Sequence, residues 1–163
     1  MRTIVGVMGG AAAEDFVIAH ARELGRLIAQ SDWVLLCGGR DAGVMAGAAL
    51  GASEAGGLVV GVLPGEDTAG VAPHVDIAIP TGMGDARNVI NVLASHAVIA
   101  LPGGAGTLSE VALALKSGRT VVTLGFPLGP VFSAYYDCGQ LIDARTPDEA
   151  LGFVTQALAK VGR

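Results

Sequence analysis

Six apolar runs of strand length punctuate this chain: TIVGVM (3–8), WVLLC (33–37), LVVGVL (58–63), VDIAI (75–79), AVIAL (97–101) and TVVTL (120–124). Their hydrophobicity is continuous rather than alternating, so each strand is expected to be covered on both faces, as in a parallel sheet held between helices. Glycine-marked turns follow the runs, and helical stretches are predicted at 13–30, 43–56, 84–95, 106–117 and 147–161. Strand and helix alternate throughout. Right-handed βαβ crossovers then give an α/β fold, a Rossmann-like three-layer sandwich whose parallel, doubly wound sheet has about six or seven strands. With 163 residues and no linker, repeat or low-complexity stretch, residues 1–163 read as one domain with a sizeable apolar core.

Composition narrows the partners. Hydrophobic residues make up 52% of the chain, with a mean hydropathy of +0.58, yet no apolar run approaches the roughly 18 residues that span a bilayer. The first residues, MRTIVGVMGGAAAEDF, superficially mimic a signal peptide, but their apolar stretch is short and broken by glycines, as in a buried first strand. The net charge is -5 with no basic cluster, which argues against a nucleic-acid partner and against a membrane surface. Cys37 and Cys138 are the only cysteines. Their spacing suggests neither a disulfide framework nor a metal site, and a cytoplasmic location is expected.

In doubly wound sheets, ligands bind beyond the carboxyl ends of the strands, near the switch in strand order. The turns to inspect are therefore 9–12, 38–43, 80–87 and 102–107. The first carries Gly9 and Gly10. The second, Gly38-Gly39-Arg40-Asp41-Ala42-Gly43, combines glycines that let backbone N–H groups approach an anion with an arginine able to contact phosphate. It reads equally well as a tight turn with a solvated Arg40. The third turn supplies Arg87, which either faces the ligand or pairs with Asp85.

The fourth, Pro102 to Glu110, has the parts of a phosphate cradle: Gly103, Gly104 and Gly106 free the backbone, and Thr107 offers a hydroxyl at a helix start. The same residues, Thr107-Leu108-Ser109-Glu110, also fit a capping box, and locally that reading is favoured, with Glu110 merely satisfying a helix N–H. The segment lacks the lysine of a P-loop, and Gly6-Val7-Met8-Gly9-Gly10 is not the dinucleotide fingerprint. Nicotinamide cofactors are a poor match.

Gly38 to Met45 resembles the G-G-G-x-x-G-L-M segment, and Pro102 to Glu110 matches the P-G-G-x-G-T-x-x-E motif, of the LOG ("Lonely Guy") family, proteins long misnamed lysine decarboxylases. The similarity runs from about Thr3 to Gly125. It implies a Rossmann-like homo-oligomer, dimer or tetramer, whose relatives split nucleoside 5′-monophosphates into base and ribose 5-phosphate. On that pattern Arg87 and Glu110 are the catalytic pair. Gly9, Gly10, Gly38, Gly39, Arg40, Gly43, Met45, Gly103, Gly104, Gly106 and Thr107 hold the phosphate or nucleotide.

Three departures from the motifs carry information. Arg40 replaces the third glycine, and the family's R-K pair appears as Arg87-Asn88, with Gly84 where a methionine is expected. These changes resemble a shorter branch that includes a molybdenum-cofactor carrier protein. Two functions stay open: a phosphoribohydrolase, in which the Glu110 carboxylate opposes an oxocarbenium-like charge, and a non-catalytic carrier or sensor of a nucleotide or phosphorylated pterin, with no cofactor required for activity. Decarboxylation through pyridoxal phosphate needs a Schiff-base lysine. Lys116 and Lys160, the only lysines, lie towards helix C-termini, away from the glycine turns.

Overall fold

A computed structural model describes residues 1–161. Seven parallel strands form one sheet: β1 (Ile4–Met8), β2 (Val34–Cys37), β3 (Val59–Leu63), β4 (Ile77–Pro80), β5 (Ala97–Ala100), β6 (Thr120–Leu124) and β7 (Leu141–Ala144). Their order is β4-β3-β2-β1-β5-β6-β7, so the chain winds outward one way from β1, returns, and winds outward the other way from β5. The expected α/β, Rossmann-like fold is the observed one. Its switch point lies between β1 and β5, which pair in parallel register from Val5 with Ala97 to Met8 with Ala100.

Successive residues of the central strands point to opposite faces, and both faces are covered. Val5, Val7, Leu35 and Ile99 pack beneath α1 (Asp15–Gln30), α2 (Gly43–Glu54) and α6 (Pro147–Val161). Met8, Leu36, Val98 and Val121 pack beneath α3 (Asn88–Ala94) and α4 (Ala105–Lys116). This is why the central runs lack alternation. Edge strand β4 departs from the expectation of full coverage, since Ile77 and Ile79 remain 46% and 41% exposed.

Two further differences concern boundaries. Residues 130–144, for which no element is predicted from sequence, form a 3-10 turn (Pro130–Phe132), the short α5 (Ser133–Asp137) and β7. The helix expected over 84–95 begins as a separate 3-10 turn (Gly84–Arg87) before α3.

The small-residue stretch of α2 finds its partner within the chain. A Cβ on Gly51 would stand 1.8 Å from the carbonyl oxygen of Arg22, and one on Gly25 would stand 2.1 Å from that of Ala48. The backbones of α1 and α2 therefore touch, an approach that only glycine permits. Among the described residues no helix is long and apolar enough to cross a membrane.

Candidate functional site

The carboxyl ends of β1, β2 and β5 open together at the switch point. The Gly10 N–H donates to the Pro102 carbonyl at 3.0 Å, tying the turn after β1 to the turn after β5, and the Val44 N–H donates to the Gly10 carbonyl at 3.1 Å, tying it to α2. The turns after β2 and β5 are thus not direct neighbours, because the turn after β1 lies between them. A cleft of about 180 Å³ opens above this junction.

Gly9 and Gly10 line it from β1, Gly38, Arg40 and Met45 from β2 and α2, and Gly104, Gly106, Thr107 and Glu110 from β5 and α4. Arg87 joins them from the turn after β4, at the far edge of the sheet, together with Asp85 and Asn88. Of the thirteen residues read from the motifs, ten line this cleft.

Gly39, Gly43 and Gly103 do not line it, and each has a packing reason to be glycine. Gly39 holds φ +75° with its α-carbon turned toward Gly61, whose Cα would lie 2.9 Å from an added Cβ. At Gly43 (φ +48°) a Cβ would meet the Gly10 carbonyl oxygen at 2.3 Å. Gly103 sits against Thr107, whose Oγ1 would be 2.2 Å away. Gly38 is both liner and spacer: a Cβ there would stand 2.9 Å from Arg87 Nη1 and Nη2. Gly104, by contrast, has φ -92° and nothing within 4 Å of an added Cβ. Its lack of a side chain keeps the cleft open rather than permitting a strained turn.

The floor of the cleft is charged and nearly dry. Arg87 and Glu110 are 7% and 6% exposed, with Nη1 3.7 Å from Oε1. Asn91 of α3 donates from Nδ2 to Glu110 Oε1 at 2.7 Å, and Asn88 donates from Nδ2 to Ser109 Oγ at 2.9 Å, so two amides stitch α3 to α4 beside the site. The Arg87 Nε–H and the Asn91 Oδ1 are buried without a partner among the described residues. Arg40 stands at the exposed mouth, its backbone bridged to Val71.

Burial pushes the Glu110 carboxyl above the usual carboxylate range, against the lowering effects of the Asn91 amide and the Arg87 charge. Burial likewise lowers Arg87, although Glu110 opposes the shift. The Cys37 thiol beneath the floor is fully buried and pushed up to about 11, chiefly by desolvation, so it is inert as a nucleophile.

The capping-box expectation is not met. Helix α4 starts at Ala105 with Gly104 as its N-cap and no side-chain cap, which places Thr107 and Glu110 inside the helix. Glu110 turns towards Asn91 and Arg87 instead of back to a backbone N–H. Asn91 and Asp85 were not foreseen as parts of the site. An asparagine on a short helix has no signature of its own, although Asn88 and Asn91 at a spacing of three residues do mark one face of α3 as polar.

Residues 2–151 match the SLOG cluster4 family. The fold superposes on the molybdenum cofactor binding protein from the phototrophic bacterium Rippkaea orientalis with a TM-score of 0.91 and 45% identity, covering 97% of this chain and 98% of that one. It superposes on the Moco carrier protein from Chlamydomonas reinhardtii with a TM-score of 0.88 and 45% identity, covering 98% and 99%. A protein of Archaeoglobus fulgidus is 38% identical over 156 residues, 96% of this chain and 97% of its own length.

Proposed function

The chain belongs to the SLOG cluster4 family, and on that footing we propose that it binds and carries a phosphorylated pterin of the molybdenum-cofactor type in the switch-point cleft. The observation that carries this reading is Arg87: a guanidinium 7% exposed, lining the cleft, with an Nε–H that no acceptor among the described residues satisfies. An unpaired buried donor is costly, and an anionic ligand oxygen would relieve it. The free N–H groups at the start of α4 and the Arg40 guanidinium at the mouth add donors for the same anion. Full-length identity of 45% to two cofactor-binding relatives supports the pterin as the rest of the ligand.

Anaerobic incubation with molybdenum cofactor released from a molybdoenzyme, followed by gel filtration, tests the reading. Oxidised-pterin fluorescence is expected to co-elute with the protein and to be lost in Arg87→Ala. Fluorescence that elutes only with free cofactor would refute it.

The Glu110–Arg87 pair favours a second reading, hydrolysis of a nucleoside 5′-monophosphate. A carboxylate in a dry site could oppose the positive charge that develops on a ribose ring. Under the carrier reading, AMP yields no free base. Base release that falls by orders of magnitude in Glu110→Gln would establish the hydrolase instead.

A further inference from the structure

Beside the charged cleft lies a second hollow of about 510 Å³. The two share Gly10, Ala11 and Gly104, so they border one another across the turns after β1 and β5. Their chemistry differs. The second is lined by Ala11, Ala12, Ala13, Pro102 and Phe16 of α1.

Phe16 is 58% exposed, while the neighbouring Val17, Ala21 and Leu24 turn into the core. Among the described residues its one aromatic partner is His20, met edge-on with centroids 6.2 Å apart. The rim carries Glu14, whose side chain makes no cap bond to α1, and Asp15 occupies the first helical turn. Those two carboxylates repel an anion from the α1 N-terminus. The cleft sets Arg40 and Arg87 beside Asp85 and Glu110, whereas the hollow has a carboxylate and no cation in its lining, so the hollow suits a neutral ring able to donate to an acid.

We propose that the Phe16 hollow is the ring compartment of a two-part binding site, taking the flat, amine-bearing heteroaromatic ring of a ligand whose phosphate sits in the Arg87 cleft. The inference rests on the anion-binding reading of that cleft. A charged compartment of about 180 Å³ is smaller than the roughly 300–1,000 Å³ of sites that enclose a small molecule, and joining the hollow to it brings the pair into that range. Phe16 supplies a stacking face, and Glu14 an acceptor for an exocyclic amine, a group common to pterins and adenine.

Calorimetric titration of the full chain with ribose 5-phosphate, AMP and 6-hydroxymethylpterin phosphate tests this. Ribose 5-phosphate carries the anion without a ring, and the other two distinguish nucleobase from pterin. Both ring-bearing ligands are expected to bind more tightly than ribose 5-phosphate. Phe16→Ala should weaken whichever ring ligand the parent prefers by at least about fivefold, the low end of aromatic stacking on a base, while changing ribose 5-phosphate less than about twofold. Phe16→Tyr should restore the affinity, and Ala12→Trp, which fills the hollow at an exposed position, should abolish the ring preference. If ribose 5-phosphate binds but rings add nothing, or Phe16→Ala leaves them unaffected, the ring compartment is refuted and the anion cleft stands. If none of the three binds the parent, both readings fall. A change of native mass in Phe16→Ala with affinities unaltered would make the hollow a subunit contact and equally overturn the proposal.

Discussion

Glu110 and Arg87 lie 3.7 Å apart between Nη1 and Oε1, and their attraction does not cancel the cost of burying them: the carboxyl is raised and the guanidinium lowered, each first by desolvation. A carboxyl whose folded pKa is raised holds its proton more tightly folded than unfolded. Its stabilising contribution is therefore present below the unfolded value and lost as pH rises through the folded one. Glu110→Gln keeps an acceptor for Asn91 Nδ2 and removes the charge, so the variant should match the parent at about pH 4 and exceed it in stability at pH 7 and above. Urea unfolding at the two pH values checks this. A variant less stable than the parent at pH 7 would show that the ion pair outweighs desolvation. Both residues were legible from the motifs, but their contact was not, because Arg87 follows edge strand β4 and reaches the cleft only through the 3-10 turn at Gly84–Arg87. The sequence also offered a plausible wrong role for Glu110. A capping box is a local pattern, and it gave way here because the N-cap of α4 is Gly104, three residues before Thr107.

Helices α1 and α2 touch along their backbones through Gly25 and Gly51, whereas Gly152 in α6 has nothing within 4 Å of an added Cβ. The same substitution should therefore have opposite signs at two helical glycines. Gly152→Ala gains helix propensity and should stabilise by about 1 kcal/mol. Gly51→Ala drives a methyl into the Arg22 carbonyl at 1.8 Å and should destabilise by about 2 kcal/mol or more, since the helices must move apart. Thermal denaturation of both variants measures the contrast, and a neutral Gly51→Ala would mean that the pair separates freely. Composition alone could not assign that small-residue stretch to a partner; the helix-to-helix approach did. The central strands were readable because burial on both faces leaves long apolar runs. β7 was not, because Leu-Ile-Asp-Ala is short and interrupted by Asp143, whose carboxylate accepts from Tyr136 and Thr123. Edge position removes the requirement for continuous hydrophobicity on which the strand signal depends.

The chain carries a net charge of -5, and the cleft at its switch point sets Arg40 and Arg87 beside Asp85 and Glu110, so the two arginines attract an anionic ligand only at short range. Salt should separate the two arginines. Exposed charges are screened over about 30 Å at 0.01 M and about 3 Å at 1 M ionic strength, whereas buried ones are screened much less. Arg40 is exposed and Arg87 is not. A phosphorylated pterin at about 100 times its dissociation constant should stabilise the protein by roughly 2.7 kcal/mol, a rise in Tm of about 5–10 °C for a chain of this size. At fixed ligand concentration, part of that rise should disappear between 0.05 and 0.5 M salt. In Arg40→Ala the rise should be smaller at low salt and almost independent of salt, because the screened contact has gone. Arg87→Ala should lose most of the rise at both salts, read against its own ligand-free Tm so that the loss of the buried pair does not enter. The two variants differ in where their charge meets solvent, and a common salt dependence in both would place the phosphate at the mouth of the cleft rather than on its floor.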